Sequence, residues 1–297
     1  MNIYDIAKLA NVSIATVSRV VNNSPKVSPK TKEKVLAVMK ENEYTPNAFA
    51  RGLGLGSMKT VGIICPNIDD IYMAKAVSYL EQNLHAHGYD CILGCSGFKQ
   101  EEKEDYVRLL LSKKIDTLIL VGSTYAGNGK DESDTDYIRE AAEQVSVFMI
   151  NAKVSGDNIY CTYADDFQAT YEVTKAFIRR GKEKILFMYD SESYSARQKM
   201  AGYEAALQDA GYPIRGNLKF KTKNDIEYTR DMLLEYNRTL DFDSVLATED
   251  GIAIGAVKYA KIKGLAIPEE LAVVGYNNSI LAISSDPELT SVDSKLG

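Results

Sequence analysis

Residues 12–22 read VSIATVSRVVN, with small or hydroxylated side chains at Ser13, Ala15, Thr16 and Ser18, one arginine at Arg19, and no acid. Arginine presents a planar fork that matches the O6/N7 pair of guanine, a contact worth ~1–3 kcal/mol of base discrimination. Small side chains let a helix come close to base edges, and its N-terminal N–H groups suit phosphate. Lys26, Lys30, Lys32 and Lys34 follow closely and supply phosphate charge without sequence information. The chemistry these residues suggest is recognition of double-stranded DNA. A basic three-helix bundle that binds a protein partner is the alternative they leave open.

A second set of chemically capable residues is scattered along the rest of the chain. It comprises Asn67, Asp69, Asp70, Tyr72, Ser123, Tyr125, Asp165, Asp166, Tyr189, Ser193, Arg197, Lys199, Glu249, Asp250, Asn277 and Asn278. Each follows an apolar run that reads as a strand, or lies soon after one. Carboxylates, amides, cations and aromatic faces together suit a polyhydroxylated ligand, meaning a sugar. Helix capping explains any single one of them equally well.

Other patterns lead nowhere. His85 and His87 stand at i and i+2, which do not share a helical face, so no metal is expected. The doublets Asp69-Asp70 and Asp165-Asp166 precede helices and read as caps rather than acid/base pairs. GLGLG at residues 52–56 lacks the preceding strand and following helix of a dinucleotide site, so no cofactor is expected. There is no strand–G-x-S-x-G–helix elbow and no Cys-His constellation, and the chain is not expected to be an enzyme. Cys65, Cys91, Cys95 and Cys161 have no metal-type spacing and read as buried free thiols.

These residues need elements to position them. The chain has 297 residues, too many for one ordinary core. Its formal charge of -6 conceals an uneven distribution, with a net of +5 over residues 1–60 and -11 over the remainder. A basic module therefore precedes an acidic body. No transmembrane run and no signal peptide are apparent, which predicts a cytoplasmic protein. In the basic module Asn2 caps a helix from Ile3 to about Ala10, and Ser13 caps a second from Ile14 to Asn22. Ser28 caps a third that starts with Pro29, runs to about Asn42 and buries Val35, Leu36 and Met39. Two short helices on a tight turn, backed by a third, describe an all-α helix-turn-helix domain over 1–44. Residues 45–59 form a linker whose short Pro46-led segment is too brief to be a stable helix alone. From Thr60, apolar runs alternate with amphipathic helical stretches, which predicts α/β architecture in two doubly wound, parallel-sheet lobes. The first lobe spans about 60–160 and the second about 161–287, after which LTSVD would cross back. Strand ends facing a common cleft would gather the second set of polar residues.

The stretch IYDIAKLANVSIATVSRVVNNSPKVSPKTKEKVLAVMKENEYTPNAFARGL resembles the N-terminal module of the lactose/galactose repressor (LacI/GalR) family. The resemblance implies base contacts from Ile14, Ala15 and Arg19. It implies backbone contacts from Tyr4, Ser13, Thr16, Ser18, Asn22, Ser28, Thr31, Tyr44 and Asn47. It also implies a hinge helix, with Ala50 in it, that inserts Leu53 into the minor groove of a near-palindromic operator bound by a homodimer. SARQKMAGYEAAL, ATEDGIAIG and VVGYNNS resemble segments of the family's effector domain, a periplasmic-binding-protein-like pair of lobes. That implies a small carbohydrate effector, a sugar or sugar phosphate, held by Asp70, Tyr72, Ser123, Asp165, Arg197, Lys199, Asp250 and Asn277. Lys199 stands where the family has an arginine, Glu249 where an asparagine is usual, and Asn277 where an aspartate is common. The family continues past LTSVDSKLG with a further helix and strand, so the chain is expected to be C-terminally truncated. The implied function is a transcriptional regulator, a repressor under allosteric control.

Overall fold

A computed structural model describes residues 1–45, 57–236 and 241–295. The hinge expectation, with Asn47, Ala50, Leu53 and the GLGLG run, lies outside the described residues.

The N-terminal module holds α1 (Ile3–Leu9), α2 (Ile14–Val21) and α3 (Pro29–Glu41). Each starts where a side-chain oxygen takes up orphan N–H groups. Asn2 Oδ1 accepts from Tyr4 and Asp5, and Asp5 Oδ2 accepts in return from the Asn2 N–H. Ser13 Oγ accepts from Thr16 and Ser28 Oγ from Thr31. Ile6, Ala7, Ala10, Val17, Val20, Val35 and Met39 form the core, with Tyr44 packed against it. Leu36 is corrected: it is 44% exposed, because it lies about 100° around the helix from Val35.

Two five-stranded parallel sheets follow. The first is built from β1 (Thr60–Cys65), β2 (Asp90–Cys95), β3 (Thr117–Val121), β4 (Ser146–Ile150) and β5 (Ile159–Thr162), in the order β2-β1-β3-β4-β5. The second is built from β6 (Ile185–Tyr189), β7 (Lys219–Lys221), β8 (Ser244–Ala247), β9 (Ala272–Tyr276) and β10 (Thr290–Val292), in the order β7-β6-β8-β9-β10. The two orders are the same, with a reversal of direction between the first and third strands of each lobe. The expected return of LTSVD to the first lobe is therefore corrected. Thr290–Val292 pairs with β9 and extends the second sheet.

Both faces are covered at β1, β3, β6, β8 and β9, which is why these strands read as unbroken apolar runs. On the first sheet α4 (Ile71–Ala86) packs one face, while α5 (Gln100–Ser112) and α6 (Asp136–Ala142) pack the other. Beyond α4, Phe148 and Tyr160 stack at 5.0 Å and stay exposed. On the second sheet α7 (Asp166–Arg179) and α8 (Tyr194–Asp209) pack one face, and α9 (Ile226–Tyr236) and α10 (Asp250–Lys263) the other. A short α11 (Ile280–Ser284) precedes β10. The described chain passes from the first sheet to the second once, between Thr162 and Asp166.

The lobes also share a device at the start of their first strands. Asp116, just before β3, accepts from the N–H groups of Met58 and Thr60. Asp243, just before β8, accepts from those of Glu183 and Lys184. A carboxylate receiving two N–H bonds is worth more than a neutral acceptor. Asp243→Ala is expected to lower unfolding free energy by about 2 kcal/mol, read from the urea midpoint.

The thiols are not all buried as expected. Cys65 is buried, with its pKa pushed up to about 12 by burial first and then by Cys95. Cys95 is exposed, because β2 is an edge strand.

Candidate functional site

The first candidate surface is the outer face of α2. Val17 and Val20 point into the core, so the helix must turn its other face outward. That face carries Ile14, Ala15 and Arg19 exposed, with Thr16 and Ser18 half-buried. Ser13 and Thr16 also share a hydroxyl–hydroxyl bond of 2.9 Å, and Ser28 and Thr31 repeat the arrangement at α3. Tyr4 is 65% exposed at the start of α1. Asn22 caps the end of α2, and its side-chain oxygen is buried without a partner. Tyr44 is half-buried against the module core.

The second is a cavity of about 970 Å³ between the lobes, at the carboxyl ends of the strands. Of the polar residues singled out in the sequence, Asn67, Asp69, Asp70, Tyr72, Ser123, Ser193, Lys199, Glu249, Asp250, Asn277 and Asn278 line it. Asp70 also caps α4, accepting from the Met73 N–H. Asp250 has both oxygens engaged, by the Ser279 N–H and the Ser291 hydroxyl, so it braces the loops around β10. Lys199 is buried and donates to Thr248 O at 3.0 Å, with its ammonium 3.6 Å from the Tyr276 ring centroid. The Tyr276 hydroxyl in turn donates to Asp166 Oδ1 at 2.6 Å. Asn277 and Asn278 are consecutive residues with φ of 88° and 45°, a conformation asparagine tolerates better than most. It aims Asn277 Nδ2 at Glu249 Oε2, 2.6 Å away.

Five of the residues singled out do not line the cavity. Asp165 caps α7 through the Gln168 N–H. Arg197 donates to Glu192 O and, across the cleft, to Gly127 O at 3.2 Å. Beside it Lys130 and Glu192 pair at 2.7 Å, so this edge ties lobe to lobe. Tyr125 is buried against Ser96, Asp166 takes the Tyr276 hydroxyl, and Tyr189 packs beside Phe187. The sequence reading missed Asp190, Asn151, Phe98 and Tyr276, all of which line the cavity. The strand-end rule could have found the first three, since each closely follows a strand.

Electrostatically the cleft is crowded with carboxyls. Glu249 is pushed up to about 8, chiefly by burial, opposed by Lys199 and reinforced by Asp190 and Asp70. Asp190 is raised by burial against the pull of Lys199. Burial, then Asp166, Glu249 and Asp70, raises the Tyr72 hydroxyl. Between about pH 4.5 and 8 the folded chain thus holds a proton on Glu249 that the unfolded chain has released. That favours the folded state at the low end and is lost as pH rises through the window. Glu249→Gln is expected to match the parent near pH 4.5 and to exceed its stability by ~1–3 kcal/mol near pH 8.5, measured by denaturant titration.

Residues 2–47 match the family described as bacterial regulatory proteins, lacI family, and residues 58–296 match periplasmic binding proteins and sugar binding domain of LacI family. The chain belongs to the LacI family. An HTH-type transcriptional regulator of Lachnoclostridium phytofermentans is 48% identical over 294 residues, covering 99% of this chain and 88% of that protein. Catabolite control protein A of Priestia megaterium is 31% identical over 300 residues, covering 98% and 87%. In fold, the LacI-family chain is similar to the lac repressor dimer bound to operator and the anti-inducer ONPF. The TM-score is 0.88 and the identity 23%, over 100% of this chain and 88% of that one. A CelR–cellobiose complex is similar with a TM-score of 0.69 at 24% identity, over 100% and 88%. This LacI-family member is a DNA-binding transcriptional regulator with a sugar-binding effector domain. Among its described residues no helix is long and apolar enough to cross a membrane.

Proposed function

We propose that the chain is a homodimeric repressor of the cytoplasm, without catalytic activity, that binds a near-palindromic operator and yields it in response to a sugar in the cleft. Residues 1–44 are the reading head, 45–59 the hinge with Asn47, Ala50 and Leu53, and 60–297 the effector domain. The observation that carries this reading is the outer face of α2, which is free of acid and exposes Arg19 beside Ile14 and Ala15. Arg19 reads a guanine, while Ile14 and Ala15 suit a thymine methyl. Tyr4, Ser13, Thr16, Ser18, Asn22, Ser28, Thr31 and Tyr44 hold the register on the sugar-phosphate backbone.

In the effector cleft Asp70, Tyr72, Ser123 and Asn277 meet the ligand, Lys199 holds the Thr248 carbonyl beside them, and Asp250 braces the loops. A change in lobe angle must rearrange the Arg197–Gly127 and Lys130–Glu192 contacts. A coupling of ~1–3 kcal/mol is typical and changes occupancy ~5–150-fold.

Selection from random duplex DNA at near-physiological salt tests the reading. An enriched near-palindrome is expected. Enrichment of a single half-site would refute the dimer, and salt-sensitive bulk binding alone would refute sequence recognition by α2.

A further inference from the structure

The cleft has a charge balance that narrows its ligand. Among the described residues eight carboxyl side chains and two lysines line it, and no arginine does. Lys75 is exposed, and Lys199 is already committed to Thr248 O and the Tyr276 ring. Among the described residues that leaves Lys75, at the exposed edge, as the lining cation without such a commitment. The positive ends of α4, α8 and α10 also face the cleft; Asp70 and Ser193 cap the first two, and the third carries the carboxyls of Glu249 and Asp250. What remains is Asp70, Asp190 and Glu249, three carboxyls close enough to act on one another, with Lys199 beside the last two.

A separate observation points to a ligand at the same place. Thr248 lines the cavity at 2% exposure, and its Oγ1 is buried without a hydrogen-bond partner. A buried polar atom without a partner is costly. A ligand hydroxyl or ammonium would satisfy it.

We infer that the effector carries a protonated amine, seated among Asp70, Asp190 and Glu249, and that its class is an aminated sugar rather than a neutral or phosphorylated one. This rests on the cleft being the effector site. The amine meets the carboxyls, and the ring hydroxyls meet Asn67, Ser123 and Asn277. Glu249 faces Lys199, Asp190, Asp70 and the amide of Asn277, with the hydroxyl-bearing rings of Tyr72 and Tyr276 nearby. Near neutral pH its carboxyl, pushed up to about 8, holds a proton. Arrival of an ammonium releases that proton to solvent and leaves a carboxylate–ammonium pair. Binding is therefore coupled to proton release, and affinity for the amine rises between about pH 6 and pH 7.

The test is calorimetric titration of the full chain with glucosamine, galactosamine and mannosamine, their parent hexoses, and the hexose 6-phosphates. Each is run in two buffers of different ionisation enthalpy. One of the amines is expected to bind at least about tenfold tighter than its parent, which is ~1.4 kcal/mol, with proton release. The phosphates bind weakest. Glu249→Gln and Asp190→Asn each bring the amine-to-parent ratio toward one, and Glu249→Gln abolishes the proton release. If a neutral or phosphorylated sugar binds best and Lys199→Met abolishes that binding, the charge inference falls and the cleft reading stands. If no sugar binds, or if binding ignores all three substitutions, both fall.

Discussion

Gly202→Ala is expected to destabilise the second lobe by about 3 kcal/mol or more, although helix propensity alone argues for a gain. Gly202 lies inside α8, where replacing glycine by alanine ordinarily stabilises by ~1 kcal/mol. Here an added Cβ would sit 2.1 Å from the Phe167 carbonyl oxygen, 3.0 Å from its carbon and 3.1 Å from the Tyr171 nitrogen. All three are backbone atoms of α7, so no side-chain rotation relieves the clash. The helices must separate, and overpacking a tight contact costs ~1–3 kcal/mol even where side chains can yield. Urea unfolding of Gly202→Ala beside Gly216→Ala decides the matter. A Cβ at Gly216 meets nothing within 4 Å, and that variant should be near neutral. Equal stability for the two would mean that α7 and α8 do not pack as closely as described.

The second large effect concerns DNA. Arg19→Ala is expected to lose ~1–3 kcal/mol at each half-site and to relax preference at one base pair in each. Across a two-fold site the loss is about twice that. Lys30→Ala should instead weaken all DNA about equally and flatten the salt dependence, because a phosphate contact carries charge and no sequence. Binding of both variants to a matched and a mismatched duplex at several salt concentrations separates the two. If Arg19→Ala leaves the preference for the matched duplex intact, α2 is not the reading helix.

The N-terminal module was readable because its signals are local. Asn2, Ser13 and Ser28 each supply a cap oxygen three residues or fewer from the N–H they satisfy, and Pro29 fixes a helix start. The central strands were readable because burial on both faces demands continuous apolar runs. What escaped was at the edges. Ile159–Thr162 is short and alternates half-buried with exposed residues, so it lacks the pattern of a central strand. Thr290–Val292 is three residues long, and its place in the second sheet depends on pairing with β9. Arg197 and Lys199 look equivalent along the chain, yet two positions on a helix differ by about 200°. One faces the cavity and the other bridges to Gly127. Leu36 failed for the same reason of helical phase.

Among the described residues, the five strands of the first sheet all precede the passage from Thr162 to Asp166, and the five strands of the second all follow it. A ribosome therefore releases the five strands of the first sheet before the first strand of the second exists, and that sheet can begin to pair during synthesis. Among the described residues the link between them is short and lies at residues 163–165. Cleavage there would leave the two five-stranded sheets bridged by the Arg197–Gly127 and Lys130–Glu192 contacts, which would then carry the lobe-to-lobe alignment without help from that link.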